Sequence, residues 1–487
     1  MGEYANLGYV NRFYEGNADG LNYKITVPAG YYMIRDLSSF EGKESKSYSA
    51  RMLFVANNVE QELKEDVPTL TKKISRDKGT DGYKYETEAA GVGDEVDFRL
   101  TGTLPSNYDL YLGGYQYKFT DKLSDGLTMK DTDGVYVTVT VDKVYDKTTK
   151  GYVTGPFTIK TDSYDKDGTH TTHDINAAYK EDYNKDTNEL TVSFPCLKEI
   201  LIDDTYTLGA ESVIYVDYTA IVNDDAAVKP KDTAGEMNGN TNTAVLTYSD
   251  NPQSYGDTDD TTEDTATVYS FGLDITKIDA ADFIKNNVET PLQGAQFVIL
   301  RNTVDGKYEY ATVTPYSDHY AIDEWSTDTI TGADGKALRD ALKKASATGI
   351  EMKTDASGKL NITGLDDDVK YTLVEIKTPG EDGDYAFIEP ITFTITADEV
   401  DGEYNGKIKD ITPEKGFSSD KTVSVSQSVA SYTNNEGFEE FTVVNFKYTD
   451  LPSTGGIGVY IYYIAGGCIV ALAVVLFALS KKKKTTK

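Results

Sequence analysis

The sequence predicts an all-β protein: tandem immunoglobulin-like β-sandwich domains followed by one C-terminal transmembrane helix. Three observations carry this expectation. Runs rich in Val, Thr, Tyr and Ile, such as Val135-Tyr136-Val137-Thr138-Val139-Thr140-Val141, recur with turn residues at a spacing of about ten, as in sandwiches. The composition, 39% hydrophobic and 11% aromatic, is that of packed cores. Finally, 457–479 is a stretch of 23 residues without a charge, long enough to cross a hydrocarbon core of about 30 Å.

Taken in order, 1–66 reads as the closing strands of a domain, at 23–27, 31–34 and 49–55, with its front half expected upstream. Met1-Gly2-Glu3-Tyr4 has neither the basic start nor the apolar stretch of an export signal, so the true N-terminus is expected to precede this sequence. Pro68 sits in a linker, and a second domain follows over 67–266. The acid-rich stretch 256–264 is the expected boundary to a third domain, 267–450. Helical patterning is confined to short pieces. Leu338 and Leu342, at i and i+4 within 335–344, mark the clearest, read as an insertion. The segment 451–487 holds the span and its flanks. Lys481 to Lys484 and Lys487 form a basic cluster that stays cytoplasmic, leaving the bulk of the chain outside.

With 48 basic and 80 acidic residues the formal charge is −32, which argues against nucleic acid or anionic lipid as a partner. Cys196 and Cys468, the latter inside the span, are the only cysteines, so no disulfide can staple the exterior part. His170, His173 and Asp174 lie in a polar loop with only His319 elsewhere, and are assigned no metal. Asp165-Lys166-Asp167-Gly168 resembles part of an EF-hand loop, but Ser163 and Asp174 fall where its first and last ligands belong. No phosphate loop, nucleophile elbow or catalytic triad is present, so neither a cofactor nor enzymatic turnover is expected.

Chemistry enters through polar residues on core faces. In Leu273-Asp274-Ile275-Thr276-Lys277, alternation puts Lys277 on the face of Leu273 and Ile275. Burying an ammonium costs several kcal/mol unless it is paired or neutralised. An edge position with a snorkelling side chain is the plainer alternative. Glu375 shares a face with Leu373, and Asn445 one with Phe441 and Val443. These segments, with Pro291-Leu292-Gln293-Gly294-Ala295-Gln296-Phe297, resemble the CnaB-type domain of Gram-positive surface proteins over roughly 270–450. The resemblance implies a spontaneous isopeptide bond between Lys277 and Asn445, with Glu375 as proton donor, in a single turnover. A buried ion pair without a bond is the alternative.

In the second domain, alternation in Leu70-Thr71-Lys72-Lys73-Ile74 puts Lys72, not Lys73, inward. The segments 119–127 and 216–223 resemble the fimbrial isopeptide-formation domain of pilin subunits. That resemblance implies Lys72 as nucleophile, Asp121 as proton donor and Asn223 as acceptor, with an insertion at about 145–188 separating the last two.

Ahead of the span, Leu451, Pro452, Ser453, Thr454 and Gly455 spell a motif that, with the span and basic tail, resembles the sorting signal of sortase substrates. The resemblance implies cleavage between Thr454 and Gly455 by a sortase, housekeeping or pilin-specific, and transfer to peptidoglycan precursor or to a neighbouring subunit. The implied location is the cell surface, covalently on the wall or in a pilus, after transient membrane anchoring. Taken together, the expectation is a pilus backbone subunit. A singly anchored adhesin or pilus base protein is the alternative, and a host or microbial surface ligand is a further partner class it admits. Polymerisation needs a receptive lysine; Lys64, before the linker, is the candidate, without the Tyr-Pro pair typical of shaft pilins.

Overall fold

The computed structural model describes residues 13–17, 20–24, 28–35, 50–57, 67–112, 114–159, 179–194, 196–200, 205–226, 239–252, 256–286, 288–380, 384–415, 430–435, 438–445 and 447. Lys64, the sorting motif 451–455 and the expected span 457–479 lie outside them, as do His170, His173 and 163–168. Among the described residues no helix is long and apolar enough to cross a membrane.

The molecule is built of strands in tandem sandwiches. In the N-terminal part, Phe13–Asn17 pairs antiparallel with Gly20–Lys24, and Gly30–Arg35 with Ala50–Val55.

The second domain stacks two sheets. One runs Phe157–Ile159, Val137–Asp142, Val213–Val222, Glu95–Thr103, Leu70–Ser75, with Leu127–Met129 on the end of the long Val213 strand. The other runs Lys180–Asn184, Glu189–Phe194, Tyr117–Leu123, Asn240–Ser249, Asp264–Tyr269, Thr87–Ala89, with Thr258–Asp260 beside the Asn240 strand. Strict alternation drives this layering. In Val213–Val222 every second residue from Ile214 to Val222 is buried, and its neighbours are half-exposed.

The acid-rich segment 256–264 corrects the expected boundary. Instead of a linker it supplies Thr258–Asp260 and begins Asp264–Tyr269, both hydrogen-bonded to Asn240–Ser249. Asp257, Asp260 and Glu263 are exposed while Ala266 and Val268 face the core, and Asp264, on the same face as these two, is half-buried and accepts from Lys72 N–H at 2.7 Å, so most of the acidity marks a solvated surface of paired strands. Ser270 alone separates the last strand of this domain from Phe271–Asp279, the first of the next.

The third domain is one continuous path of strands whose halves face each other. One half is Glu403–Lys415, Ile391–Val400, Lys370–Lys377, Gln296–Asn302; the other is Tyr320–Trp325, Lys359–Leu365, Phe271–Asp279, Phe438–Asn445, Ala430–Asn435, with Tyr308–Pro315 joining them. First and last strands lie side by side and parallel. Phe297, Ile299 and Leu373 point into the core, while Val298, Leu300 and Val374 pack against Leu338 and Leu342 of the helix Gly335–Ala345. Two apolar layers explain why Tyr371 to Glu375 are buried without interruption. Asp334 caps the helix by accepting from Ala337 N–H at 2.8 Å.

The short connection leaves the two sandwiches in contact. Val92 N–H donates to Gly364 O at 3.0 Å, and Ser270 Oγ to Ala90 O at 2.9 Å. The Arg76 guanidinium lies between the rings of Tyr85 and Tyr404, 3.9 and 4.3 Å from their centroids, and Nη1 donates to Glu399 at 2.8 Å.

Candidate functional site

Two buried lysine sites stand in the two sandwiches. In the third domain, Lys277 comes from the first strand, Asn445 from the last and Glu375 from the facing half. None is more than 1% exposed. Register places Lys277 opposite Val443 and Asp279 opposite Asn445 on the parallel pair. Lys277 Nζ donates to Asn445 Oδ1 at 2.6 Å and lies 3.1 Å from Glu375 Oε1. Asn445 Nδ2 donates to the same Oε1 at 3.1 Å, and Glu375 Oε2 accepts from Ile388 N–H at 3.0 Å.

Burial pushes the Lys277 amine below its ordinary value, opposed by the Glu375 charge and its hydrogen bond. A lysine so placed has a larger neutral, nucleophilic fraction than an exposed one, and the carboxylate that can take its proton also touches the amide nitrogen that would leave. The structure brings together all three residues picked out from the sequence here.

The second domain places Lys72 and Asp121 together but not Asn223. Lys72 faces inward from its edge strand, wholly buried against Asp121, with which it is ion-paired and hydrogen-bonded. Its neighbour Lys73 points outward to Glu86. Lys72 Nζ also donates to Tyr218 Oη at 2.8 Å, and Tyr218 donates to Asp121 Oδ2. Burial lowers the Lys72 pKa to about 8 against the raising influence of Asp121 and Asp264.

Asn223 is corrected by this geometry. It lies just past the end of its strand, half-exposed, and Nδ2 donates to Asp125 O at 2.8 Å and Thr128 Oγ1 at 2.7 Å. Oδ1 accepts from Asp225 N–H at 2.9 Å, so the amide ties a turn. Parity explains the miss: Asn223 continues the outward face of Thr219 and Ile221, whereas the inward face carries Tyr218, Ala220 and Val222.

The asparagine that shares the Tyr218 hydroxyl with Lys72 is Asn242, from the middle of the facing sheet. It is wholly buried, and Nδ2 donates to Tyr218 Oη at 2.7 Å. Its Oδ1 is buried without a hydrogen-bond partner. The signal was available in the sequence. In Asn240–Ser249 alternation puts Asn242 on one face with Ala244, Leu246 and Tyr248, all buried. Tyr218, in the same site, shows the same inward parity.

Among the described residues no group of three His, Cys, Asp or Glu could hold a metal ion. His319 stacks on Tyr316 at 4.8 Å and pairs with Asp318 at 2.9 Å on the surface.

Comparison with known proteins finds one family model that matches part of the third domain. Residues 273–410 match the model of the SpaA domain, a prealbumin-like fold. No curated protein sequence matches the chain. Among solved structures, the chain is similar to the backbone protein of pilus 2b of group B streptococcus, at 20% identity, a TM-score of 0.43, and coverage of 78% of this chain and 99% of that one. It is also similar to the T6 backbone pilin of serotype M6 Streptococcus pyogenes, at 17% identity, a TM-score of 0.45 and coverage of 88% and 83%. The full-length major pilin RrgB of Streptococcus pneumoniae aligns at 13% identity, with a TM-score of 0.40 and coverage of 89% and 87%.

Proposed function

We propose that this chain is a backbone subunit of a pilus, a reading supported by the match of 273–410 to the SpaA domain model and by a C-terminal segment that resembles a surface-sorting signal. On this reading a sortase cleaves after Thr454 and joins it to a lysine of the next subunit or to peptidoglycan. Lys64 is the proposed acceptor. The observation that carries the structural part of the proposal is the contact of Lys277 Nζ with Asn445 Oδ1 at 2.6 Å beside buried Glu375.

In this proposal each sandwich closes its own cross-link. Glu375 takes a proton from Lys277, the neutral amine attacks Cγ of Asn445, and the amide nitrogen leaves as ammonia carrying a proton relayed by Glu375. Lys72 and Asn242 make the second bond by the same overall exchange of one amide for another, with Asp121 taking the proton of Lys72. In the chain-entropy account, a link closing a loop of a hundred or more residues restricts the unfolded chain by about 5 kcal/mol. Because Lys277 and Asn445 lie on first and last strands running side by side, pulling force crosses a covalent bond instead of unzipping the ladder. A bond of this kind also resists reduction, which suits an exterior chain without disulfides.

The test is a blot of wall extracts from the native strain, released with a muramidase and boiled in detergent. A ladder of high-mass species that collapses on Lys64→Ala supports both the shaft assignment and the acceptor. A ladder indifferent to Lys64→Ala keeps the shaft and rejects this lysine, and one wall-attached species rejects polymerisation in favour of a single anchored subunit. Intact-mass measurement of the purified chain tests the internal bonds, each of which removes one ammonia.

A further inference from the structure

The second site contains a group that the third lacks: a hydroxyl placed between the amine and the amide. We propose that Tyr218 is a catalytic residue of the second domain's cross-linking reaction, handing a proton to the departing nitrogen of Asn242 and collecting one from Lys72. The proposal rests on the reading of Lys72 and Asn242 as bond partners given above.

The geometry is that of a three-way junction. Tyr218 Oη receives hydrogen bonds from Lys72 Nζ at 2.8 Å and Asn242 Nδ2 at 2.7 Å, and donates its own hydrogen to Asp121 Oδ2. Asp121 Oδ1 holds Lys72 from the other side. The nitrogen that must gain a bond and the nitrogen that must lose one thus share a single oxygen. Asp121 bonds the first, whereas the second donates to Tyr218. In the third domain Glu375 Oε1 touches both nitrogens itself, and no relay is needed.

Tyr218 is held for this position. Its ring stacks on Phe98 at 5.4 Å between centroids, with an interplanar angle of 14°, and the residue is 4% exposed. Its phenol is kept protonated by burial and by the Asp121 charge, so it meets the reaction as a donor.

The protons balance as follows. Lys72 enters as an ammonium and gives one proton to Asp121 Oδ1, becoming an amine. The amine attacks Cγ of Asn242, forming the C–N bond and a tetrahedral centre. Rehybridised Nδ2 then has a lone pair. Tyr218 turns its hydrogen to Nδ2 and accepts the surplus proton of the new Lys72 nitrogen. The C–Nδ2 bond breaks, ammonia leaves with the proton from Asp121, and Asp121 returns to a carboxylate. The net change is one ammonium ion released and one amide exchanged for another, with no oxidant or cofactor involved.

The test is a time course of cell-free synthesis of the full chain, quenched in denaturant and digested. The joined peptides Lys72–Asn242 and Lys277–Asn445 are quantified by mass spectrometry. For Tyr218→Phe the first bond is expected to form slower by on the order of 100-fold, the usual worth of a positioned proton donor, while the second is unchanged. Replacement of Tyr218 by para-aminophenylalanine keeps ring and polar group but supplies a poor acid. It is expected to fold and still be slow, which separates proton transfer from packing. Formation of Lys72–Asn242 at the wild-type rate in either folded variant overturns the role of Tyr218 and leaves the cross-link standing. Absence of that joined peptide from the wild-type chain overturns the cross-link itself.

Discussion

The two lysine sites solve one electrostatic problem with different geometry. In the third domain the amine touches the amide oxygen directly, and one carboxylate oxygen reaches both nitrogens. In the second, amine and amide meet across the Tyr218 hydroxyl, and the amide oxygen has no partner. The strand arrangement accounts for the difference. Lys277 and Asn445 lie on adjacent parallel strands, so one backbone ladder fixes their spacing. Lys72 and Asn242 belong to opposite sheets, and a large side chain must bridge the gap between layers. A buried lysine is thus tolerated wherever a carboxylate meets it, but its distance from an amide is set by topology.

The largest expected effect comes from removing the acids. Glu375→Ala and Asp121→Ala should each abolish the cross-link of their own domain only, keeping one ammonia in the intact mass. Each also strands a buried lysine, at about 3–5 kcal/mol beyond the lost bond. A chain that still sheds both ammonias would break the comparison at its base. Next come the acceptors. Asn445→Ala and Asn242→Ala each forfeit about 5 kcal/mol of chain restriction, on the order of 10–20 °C in melting temperature for domains of this size, read by circular dichroism.

A smaller effect sharpens the picture through pH. In Asn242→Ala, Lys72 stays a free amine whose folded pKa is about 8, below the ordinary 10.5. Between those values the unfolded chain binds the proton and the folded chain does not, so stability should rise with pH across that window and fall as pH drops through about 8. Urea titrations across the window should show this slope in Asn242→Ala, and with the same sign in Asn445→Ala through Lys277. The wild-type chain, with both amines acylated, should lack it. The smallest effect belongs to Asn223→Ala, which loses turn contacts worth about 1 kcal/mol and leaves both bonds intact by mass.

Much of this was legible in the chain alone. Period-two alternation identified Lys72, Lys277, Glu375 and Asn445 as inward polar residues, because in a strand the face of a side chain follows from its parity. The same rule held for Asn242 and Tyr218 and against Asn223, where family likeness had been followed instead of parity. The acid-rich stretch 256–264 misled for a related reason: composition reports solvation, and one face of a surface strand is as solvated as a linker.

What the sequence by itself determined is which residues are buried and charged, since alternation and hydropathy are local. What only the tertiary structure decided is which of them meet. Lys277 and Asn445 are 168 positions apart, and Lys72 and Tyr218 are 146. Contacts over such separations depend on strand order, on register and on which sheet each strand joins. Those are set by the packing of the whole core and by no single segment.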